Sequence, residues 1–200
     1  ADGGPLLPPA LAAAAEQQAA ELPPARVHLR ALYSGGTLCE EAILAGRDLL
    51  PGYLTNLESE GAHAMGEDDQ QPGHLYLDLG DDRYTRGRPH PMIDFTLRRK
   101  RLKAEAEARS SAVILFDLVC GHGAHPDPAG ELAPIIEPLH GCPGAPVFVA
   151  SVTATEQDPQ PYGKQRRRLE QAGVLVLDCN AAAARFAAAI AAAAAAREAR

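Results

Sequence analysis

The chain has 200 residues, a formal net charge of −7 and an apolar fraction of 46%. This length suits one domain of about 150 residues with extensions, and the acidic balance excludes a general nucleic-acid binder, which needs a basic face. No run of about 20 apolar residues occurs, so we expect no membrane span. Four scattered cysteines without a Cys-x-x-Cys pair predict free thiols and a cytoplasmic location.

The first 26 residues differ in composition from the rest of the chain. They are rich in proline, alanine, glycine and glutamine, and Pro8-Pro9 and Pro23-Pro24 bracket a short candidate helix. We predict a Pro/Ala-rich linker over residues 1–26 and a single domain over residues 27–200. A linker in turn implies a further segment upstream in the parent protein.

From residue 27 onward, apolar stretches alternate with amphipathic ones. Five stretches have the length and composition of buried strands, at residues 27–33, 75–79, 112–119, 146–151 and 174–177. Five helices follow them in turn, at residues 37–45, 93–109, 129–139, 162–172 and 180–197. The first helix begins with Thr37 and Glu40 at the spacing of a capping box, and the polar segment 47–73 is predicted to be a loop.

This alternation predicts an α/β fold with a parallel sheet that helices cover on both faces. Right-handed crossover connections leave few topologies. Among them we expect a flavodoxin-like five-stranded sheet in the order 2-1-3-4-5. Ligands of such sheets bind beyond the carboxyl ends of the strands, at the switch point between strands one and three. The loops that follow the strands are therefore the place to look for chemistry.

The loop after strand one contains Ser34, Gly35, Gly36 and Thr37. Its backbone N–H groups and the N-terminus of the next helix can bind an anion. The alternative is a tight strand-to-helix turn with no ligand. The segment is not a Walker loop, because no Gly-Lys-Ser/Thr follows it.

The loop after strand two is rich in arginine and contains a histidine between two prolines. Arg83, Arg86 and Arg88 are close in sequence, and a guanidinium group matches phosphate or carboxylate geometry. His90 is a candidate general acid or base, since its ordinary pKa of about 6.5 allows both roles. The alternatives are solvated arginines and a histidine that caps a neighbouring loop by a hydrogen bond.

The loop after strand three supplies a second set of candidates. Gly121, Gly123 and Asp127 are expected to help bind the substrate, and His125 to handle a proton or phosphoryl group or to contact another subunit. His122 and His125 have a spacing found in zinc sites. No third ligand has a suitable register, so we predict no metal.

Five motifs on these loops resemble the FdrA family. They are Leu-Tyr-Ser-Gly-Gly-Thr-Leu-Cys (32–39), Leu-Gly-Asp-Asp (79–82), Thr-Arg-Gly-Arg-Pro-His-Pro-Met-Ile-Asp (85–94), Gly-Ala-His-Pro-Asp-Pro-Ala (123–129) and Thr-Glu-Gln-Asp-Pro-Gln (155–160). FdrA proteins look like fused relatives of succinyl-CoA synthetase subunits. The resemblance implies that residues 27–200 form a flavodoxin-like CoA-ligase-type domain.

The resemblance also implies a chemistry. It points to a subunit of an acyl-CoA ligase, or of a carbamoyltransferase-type complex that uses acyl or carbamoyl phosphate, as in oxamate carbamoyl transfer in purine catabolism. The implied partners are other subunits or domains and a small anionic substrate. CoA or a nucleotide would bind only through parts outside this chain. Residues 153–158, where the synthetase has its phosphohistidine, contain no histidine, so we do not expect that relay.

Two other functions stay open at this point. The domain could be a non-catalytic assembly or oligomerisation module of such a complex, with the strand-end loops as its interface and with homo-oligomers among the products. It could also be an FMN carrier of the flavodoxin kind. A phosphorylatable receiver domain is disfavoured, because the acidic pair Asp81-Asp82 follows strand two and not strand one.

Overall fold

The computed structural model describes residues 7–50, 52–58, 62–64 and 72–198. The strands are β1 (His28–Tyr33), β2 (Tyr53–Thr55), β3 (Ala62–Ala64), β4 (His74–Asp78), β5 (Ser111–Val119), β6 (Val147–Thr153) and β7 (Leu175–Leu177). The helices are α1 (Pro9–Glu21), α2 (Gly36–Gly46), α3 (Asp82–Thr85), α4 (Thr96–Glu107), α5 (Pro128–Ile136), α6 (Tyr162–Gln171) and α7 (Asn180–Glu198). None of the helices in these ranges is long and apolar enough to cross a membrane.

The strands form one parallel sheet in the order β3-β2-β4-β1-β5-β6-β7. The α/β class and the parallel sheet are confirmed, and β4-β1-β5-β6-β7 have the predicted order 2-1-3-4-5. The predicted number of five strands is wrong, because β2 and β3 add two more beyond β4. Both lie in the segment 47–73 that was predicted as loop, and three residues are too few to show a strand period.

Helices cover the sheet on both faces, and each face has its own core cluster. In β5, Val113 and Leu115 pack with α1, α2 and α7, while Ile114, Phe116 and Leu118 pack with α4, α5 and α6. Successive strand residues point to opposite faces, which explains this division. The strand is buried along nearly its whole length, as its apolar sequence predicts.

The N-terminal segment includes a packed helix. Helix α1 lies between the two proline pairs, and Ala15 and Ala19 are buried in the core cluster that α7 also lines. Arg197 of α7 donates a hydrogen bond to the carbonyl of Ala19. The division of the chain at residue 26 stays a prediction, although α1 contributes to the same core as the following strands.

A buried carboxylate ties three elements together near the end of β5. Asp117 is fully buried and accepts hydrogen bonds from the backbone N–H of Ser34 at 3.0 Å and from the Ser34 hydroxyl. Arg98 of α4, which is also buried, donates to the Asp117 carboxylate at 2.9 Å and to its carbonyl at 2.5 Å. The guanidinium lies 5.0 Å from the centre of the Phe95 ring. This network fixes the ends of β1 and β5 and the first turns of α4 relative to one another.

A second polar contact lies at the opposite end of the sheet. The rings of His28 in β1 and His74 in β4 meet edge to face at 5.5 Å, and Nδ1 of His74 accepts a hydrogen bond from the backbone N–H of Leu29 at 3.1 Å. Burial, assisted by the charges of His28 and Arg30, lowers the pKa of His74 to about 4. Burial lowers the pKa of His28 as well.

Loss of the Asp117 charge should destabilise the fold strongly. We expect Asp117→Asn to lower the free energy of unfolding by about 3–5 kcal/mol, because Arg98 is then buried without a counter-charge. The matched control is Arg99→Gln, which breaks an ion pair to Glu131 on the exposed side of the same helix and should cost less than about 1 kcal/mol. Urea unfolding measures both, and equal losses would contradict the assignment.

The histidine pair should make stability fall in mild acid. His74 has a lower pKa in the folded chain than its ordinary value of about 6.5, so the unfolded chain binds the proton more tightly. The free energy of unfolding should therefore drop by up to about 3 kcal/mol as the pH falls from about 6.5 to about 4. Denaturant titrations across this range should show a shallower slope for His74→Gln. The exposed His122→Gln should keep the slope of the wild type.

Candidate functional site

The carboxyl ends of β1, β4 and β5 and the loops that follow them form what we call the strand-end rim. Strands β1 and β4 are neighbours, and Tyr33 pairs with Asp78 at their ends. The turn of Ser34, Gly35 and Gly36 therefore lies beside the turn that begins at Leu79. The loop between α3 and α4 also reaches this region, since a Cβ at Gly35 would lie 3.6 Å from Cε of Met92.

The N-terminus of α2 is open at this rim. The helix begins at Gly36, Gly35 is the extended residue before it, and no side chain caps it by a hydrogen bond. The predicted capping box of Thr37 and Glu40 is thus wrong, because Thr37 already lies within the first turn, where it is exposed. The first turn contains no acidic residue. Its backbone N–H groups and the helix dipole are suited to an anion.

Sequence reasoning missed Asp78, which contributes a carboxylate at the end of β4. Its backbone is held by Asn56, whose side chain donates to the Asp78 carbonyl at 2.9 Å and accepts from its N–H at 2.9 Å. Its Oδ1 accepts the backbone N–H of Gly80 at 2.7 Å. Burial raises the pKa of Asp78 above its ordinary value, and the Gly80 hydrogen bond opposes this. The sequence signal was an acidic residue that ends an apolar strand.

His90 lies near this carboxylate, because both side chains approach Gly80. A Cβ at Gly80 would be 3.0 Å from His90 Nε2 and 3.1 Å from Asp78 Oδ1. Nδ1 of His90 accepts the backbone N–H of Met92 at 3.3 Å, so in the neutral ring the proton is on Nε2. The same Cβ at Gly80 would lie 2.7 Å from the carbonyl oxygen of Ser34, so His90 and Asp78 both lie close to the start of the Gly35-Gly36 turn. An imidazole and a carboxyl in this position can exchange protons with a bound ligand.

His125 belongs to the loop that follows β5. A backbone hydrogen bond connects this loop to the loop that contains His90. The N–H of His125 donates to the carbonyl of Met92 at 2.8 Å, and its carbonyl accepts from Gln160 at 2.9 Å. Its Nδ1 accepts the N–H of Asp127 at 3.2 Å, and its Nε2 lies 3.8 Å from Glu131 of α5. The imidazole is therefore directed toward a carboxylate of the protein itself.

Two buried glutamines shape the loop that contains His125. Gln160 bonds both the N–H and the carbonyl of Gly121, at 2.9 and 3.3 Å, and Gly121 has a φ of +130° that suits glycine. Gln165 donates to the carboxylate of Asp127 at 3.1 Å. Gly123 also has a positive φ, +86°. These contacts hold the loop in place, and nothing in the sequence pattern pointed to the glutamines.

Arg83, Arg86 and Arg88, the three arginines considered for anion binding, are all exposed on the stretch before His90. Arg88 lines a cleft of about 420 Å³ together with Pro89, Pro91, Asp94 and, from α4, Lys100. The structure thus groups Arg88 with the basic surface of α4. Arg86 is exposed on the same stretch.

Metal and thiol chemistry receive no support from the described residues. Within them, no three histidine, cysteine or acidic side chains are grouped so that they could hold a metal ion. His122 is exposed. Burial, with a contribution from Asp158, raises the pKa of Cys120 to about 11. Its thiol is therefore protonated at neutral pH and is a poor nucleophile.

The match to known proteins covers the whole of this rim. The sequence matches the CoA-ligase family over residues 32–190. It is also 34% identical over 161 residues to the uncharacterized protein YahF of Escherichia coli strain K12, an alignment that covers 78% of this chain and 31% of YahF. The chain therefore spans less than a third of this relative. On the strength of the family match, which includes every strand from β2 to β7, the chain belongs to the CoA-ligase family.

Proposed function

We propose that this chain is an FdrA-like part of an acyl-CoA ligase or of a carbamoyltransferase-type complex. In this proposal the strand-end rim binds an acyl or carbamoyl phosphate, or the carboxylate that accepts the transferred group. The observation that carries the proposal is the open N-terminus of α2 next to His90. Membership of the CoA-ligase family supports the reaction class, and the resemblance of the loop motifs to FdrA supports the narrower assignment.

Each rim residue has a distinct role in the proposal. Gly35 and Gly36 let the ligand approach the backbone N–H groups of α2 closely, and the exposed Thr37 adds a hydroxyl. Ser34 positions the turn, because its own hydroxyl is committed to Asp117. His90 supplies or removes a proton through Nε2.

The loop that follows β5 would close the site from the β5 side. Gly121, Gly123 and Asp127 shape the loop, and His125 contacts α5 or a neighbouring subunit. Arg86 and Arg88 attract the anion from the α4 side of the rim. CoA and a nucleotide bind on other domains or subunits in this proposal. The loop at residues 153–158 contains no histidine, so the proposal includes no phosphohistidine relay.

Removal of His90 or Arg88 should slow the reaction of the assembled complex. We expect His90→Ala to reduce acyl or carbamoyl transfer by about 100-fold or more, the usual contribution of a general acid or base. Arg88→Ala should mainly raise the KM for the anionic substrate. The control is His122→Ala, which removes an exposed histidine from the neighbouring loop and should leave the rate unchanged. Wild-type rates in both variants would contradict the assignment.

A second candidate function has one observation in its favour. Ile93, on the His90 loop, is 52% exposed, and among the described residues the other exposed large apolar side chains are Leu44, at 54%, and Leu175, at 37%. An exposed isoleucine at the rim suits a contact with another subunit or a second copy of the chain. The rim would then be an interface of a non-catalytic assembly module.

The interface reading predicts that a charge at Ile93 blocks association. Light scattering during size-exclusion chromatography should show the wild-type chain associating as its concentration rises, and Ile93→Asp remaining monomeric. Leu44→Asp, which places the same charge at an equally exposed position of α2, should associate like the wild type. A wild-type chain that stays monomeric at high concentration and binds no partner subunit counts against this candidate.

A further inference from the structure

The acidic side chain of Asp78 lies beside the place where the proposed function puts a bound anion. The residue is 6% exposed, and a Cβ at Gly36 would lie 3.3 Å from its Oδ2. Gly36 is the first residue of α2, so this oxygen lies beside the N–H groups that the proposed function assigns to the ligand. A buried carboxylate is thus directed toward the start of α2, where the proposed function places an anion.

The position of this carboxylate is fixed by its surroundings. The Asn56 side chain holds the Asp78 backbone through two hydrogen bonds, as an extension of the sheet. The Gly80 N–H holds Oδ1 at 2.7 Å. Rotation of the carboxylate out of the rim would break the Gly80 bond, so Oδ2 stays directed toward Gly36.

A negative ligand at this place meets an electrostatic obstacle. Two negative charges a few ångströms apart in a half-buried site repel each other strongly. Asp81 and Asp117 add to the negative field at Asp78, and both raise its pKa, while His90 partly offsets them. A carboxylate accepts hydrogen bonds and donates none. An anion without a proton to offer would therefore face repulsion and gain no contact with Oδ2.

We propose that Asp78 selects ligands that carry a hydrogen-bond donor next to their negative charge, and rejects anions that carry none. The donor is an O–H of a protonated phosphate or an N–H of a carbamoyl group. It donates to Oδ2, while the backbone N–H groups at the start of α2 bind the charged oxygens. A hydrogen bond to an ionised acceptor is stronger than a neutral one. This inference rests on the proposed function, because it needs the anion site at α2.

The first experiment compares two anions of the same shape and charge, of which only one carries a proton. Hydrogen phosphate and sulfate are both tetrahedral dianions, but only hydrogen phosphate has an O–H. The measurement is isothermal titration of the whole chain at pH 7.5, a pH at which hydrogen phosphate is the main form of phosphate. Phosphate should bind at least about tenfold more tightly than sulfate, because sulfate leaves the buried Asp78 carboxylate without a hydrogen-bond donor.

The Asp78→Asn variant should remove this preference. Its amide can donate to sulfate as well as accept from phosphate, so the two affinities should come within about threefold of each other. Asp82→Asn makes the same change of charge at an exposed position nearby and should keep the wild-type ratio. A preference that survives in Asp78→Asn overturns the proposal.

A second pair of ligands distinguishes the two kinds of donor. Carbamoyl phosphate and acetyl phosphate differ by an amino group in place of a methyl group. The variant for this pair is Asp78→Ala, because the carbonyl of an asparagine could still accept the carbamoyl N–H. A wild-type preference for carbamoyl phosphate that Asp78→Ala abolishes supports the proposal with N–H as the donor. A preference confined to phosphate over sulfate supports it with O–H as the donor. Equal wild-type affinities within both pairs overturn it.

The outcomes separate this inference from the proposed function. A wild-type chain that binds none of the four anions refutes the anion site itself, and the inference with it. A wild-type chain that binds all four without preference refutes only the role of Asp78. If Asp78→Asn does not unfold cooperatively, Asp78→Ser takes its place. This variant also removes the carboxylate, and its side chain is smaller.

Discussion

The buried carboxylate of Asp117 is the constraint on which the rest of the rim depends. An ionised group without water must be satisfied by the protein, because an unpaired buried charge costs several kcal/mol. Ser34 and Arg98 meet that need from two different directions along the chain. Ser34 leads into the glycine turn, and Arg98 follows the loop that carries His90. One electrostatic requirement thus sets the relative positions of the open helix end and the imidazole.

Much of the fold could be predicted because its main strands and helices are long enough to show several repeats of their hydrophobic pattern. Strand β5 has nine residues that are buried almost throughout, and right-handed crossovers then determine the order of its neighbours. Strands β2 and β3 were not predicted, because a strand of three residues is too short to show the alternating pattern of apolar and polar residues. Their place is set by tertiary contacts instead, such as the two hydrogen bonds between Asn56 and the backbone of Asp78.

The candidate site could be predicted in part, and the residues that sequence reasoning missed were missed for a physical reason. The glycine turn and His90 follow strands directly, so topology alone brings them to one edge. Asp78 could have been identified from the alternation of side chains along β4. Tyr76 lies on the α2 face of the sheet, and Asp78, two residues later, points to the same face. Gln160 could not be identified in this way, because its role depends on hydrogen bonds to Gly121, whose position is defined only in the folded chain.

The two proline-flanked histidines show why such a motif does not define its own chemistry. His90 and His125 each precede a proline, and in each the ring Nδ1 accepts the backbone N–H two residues later, at 3.3 and 3.2 Å. The local geometry is therefore the same, and in both neutral rings the proton is on Nε2. What differs is the neighbour of Nε2, which is the turn beside Asp78 in one case and Glu131 of α5 in the other. The sheet order, and not the motif, directs one imidazole to the turn beside Asp78, where we propose an anion site, and the other to a helix of the protein.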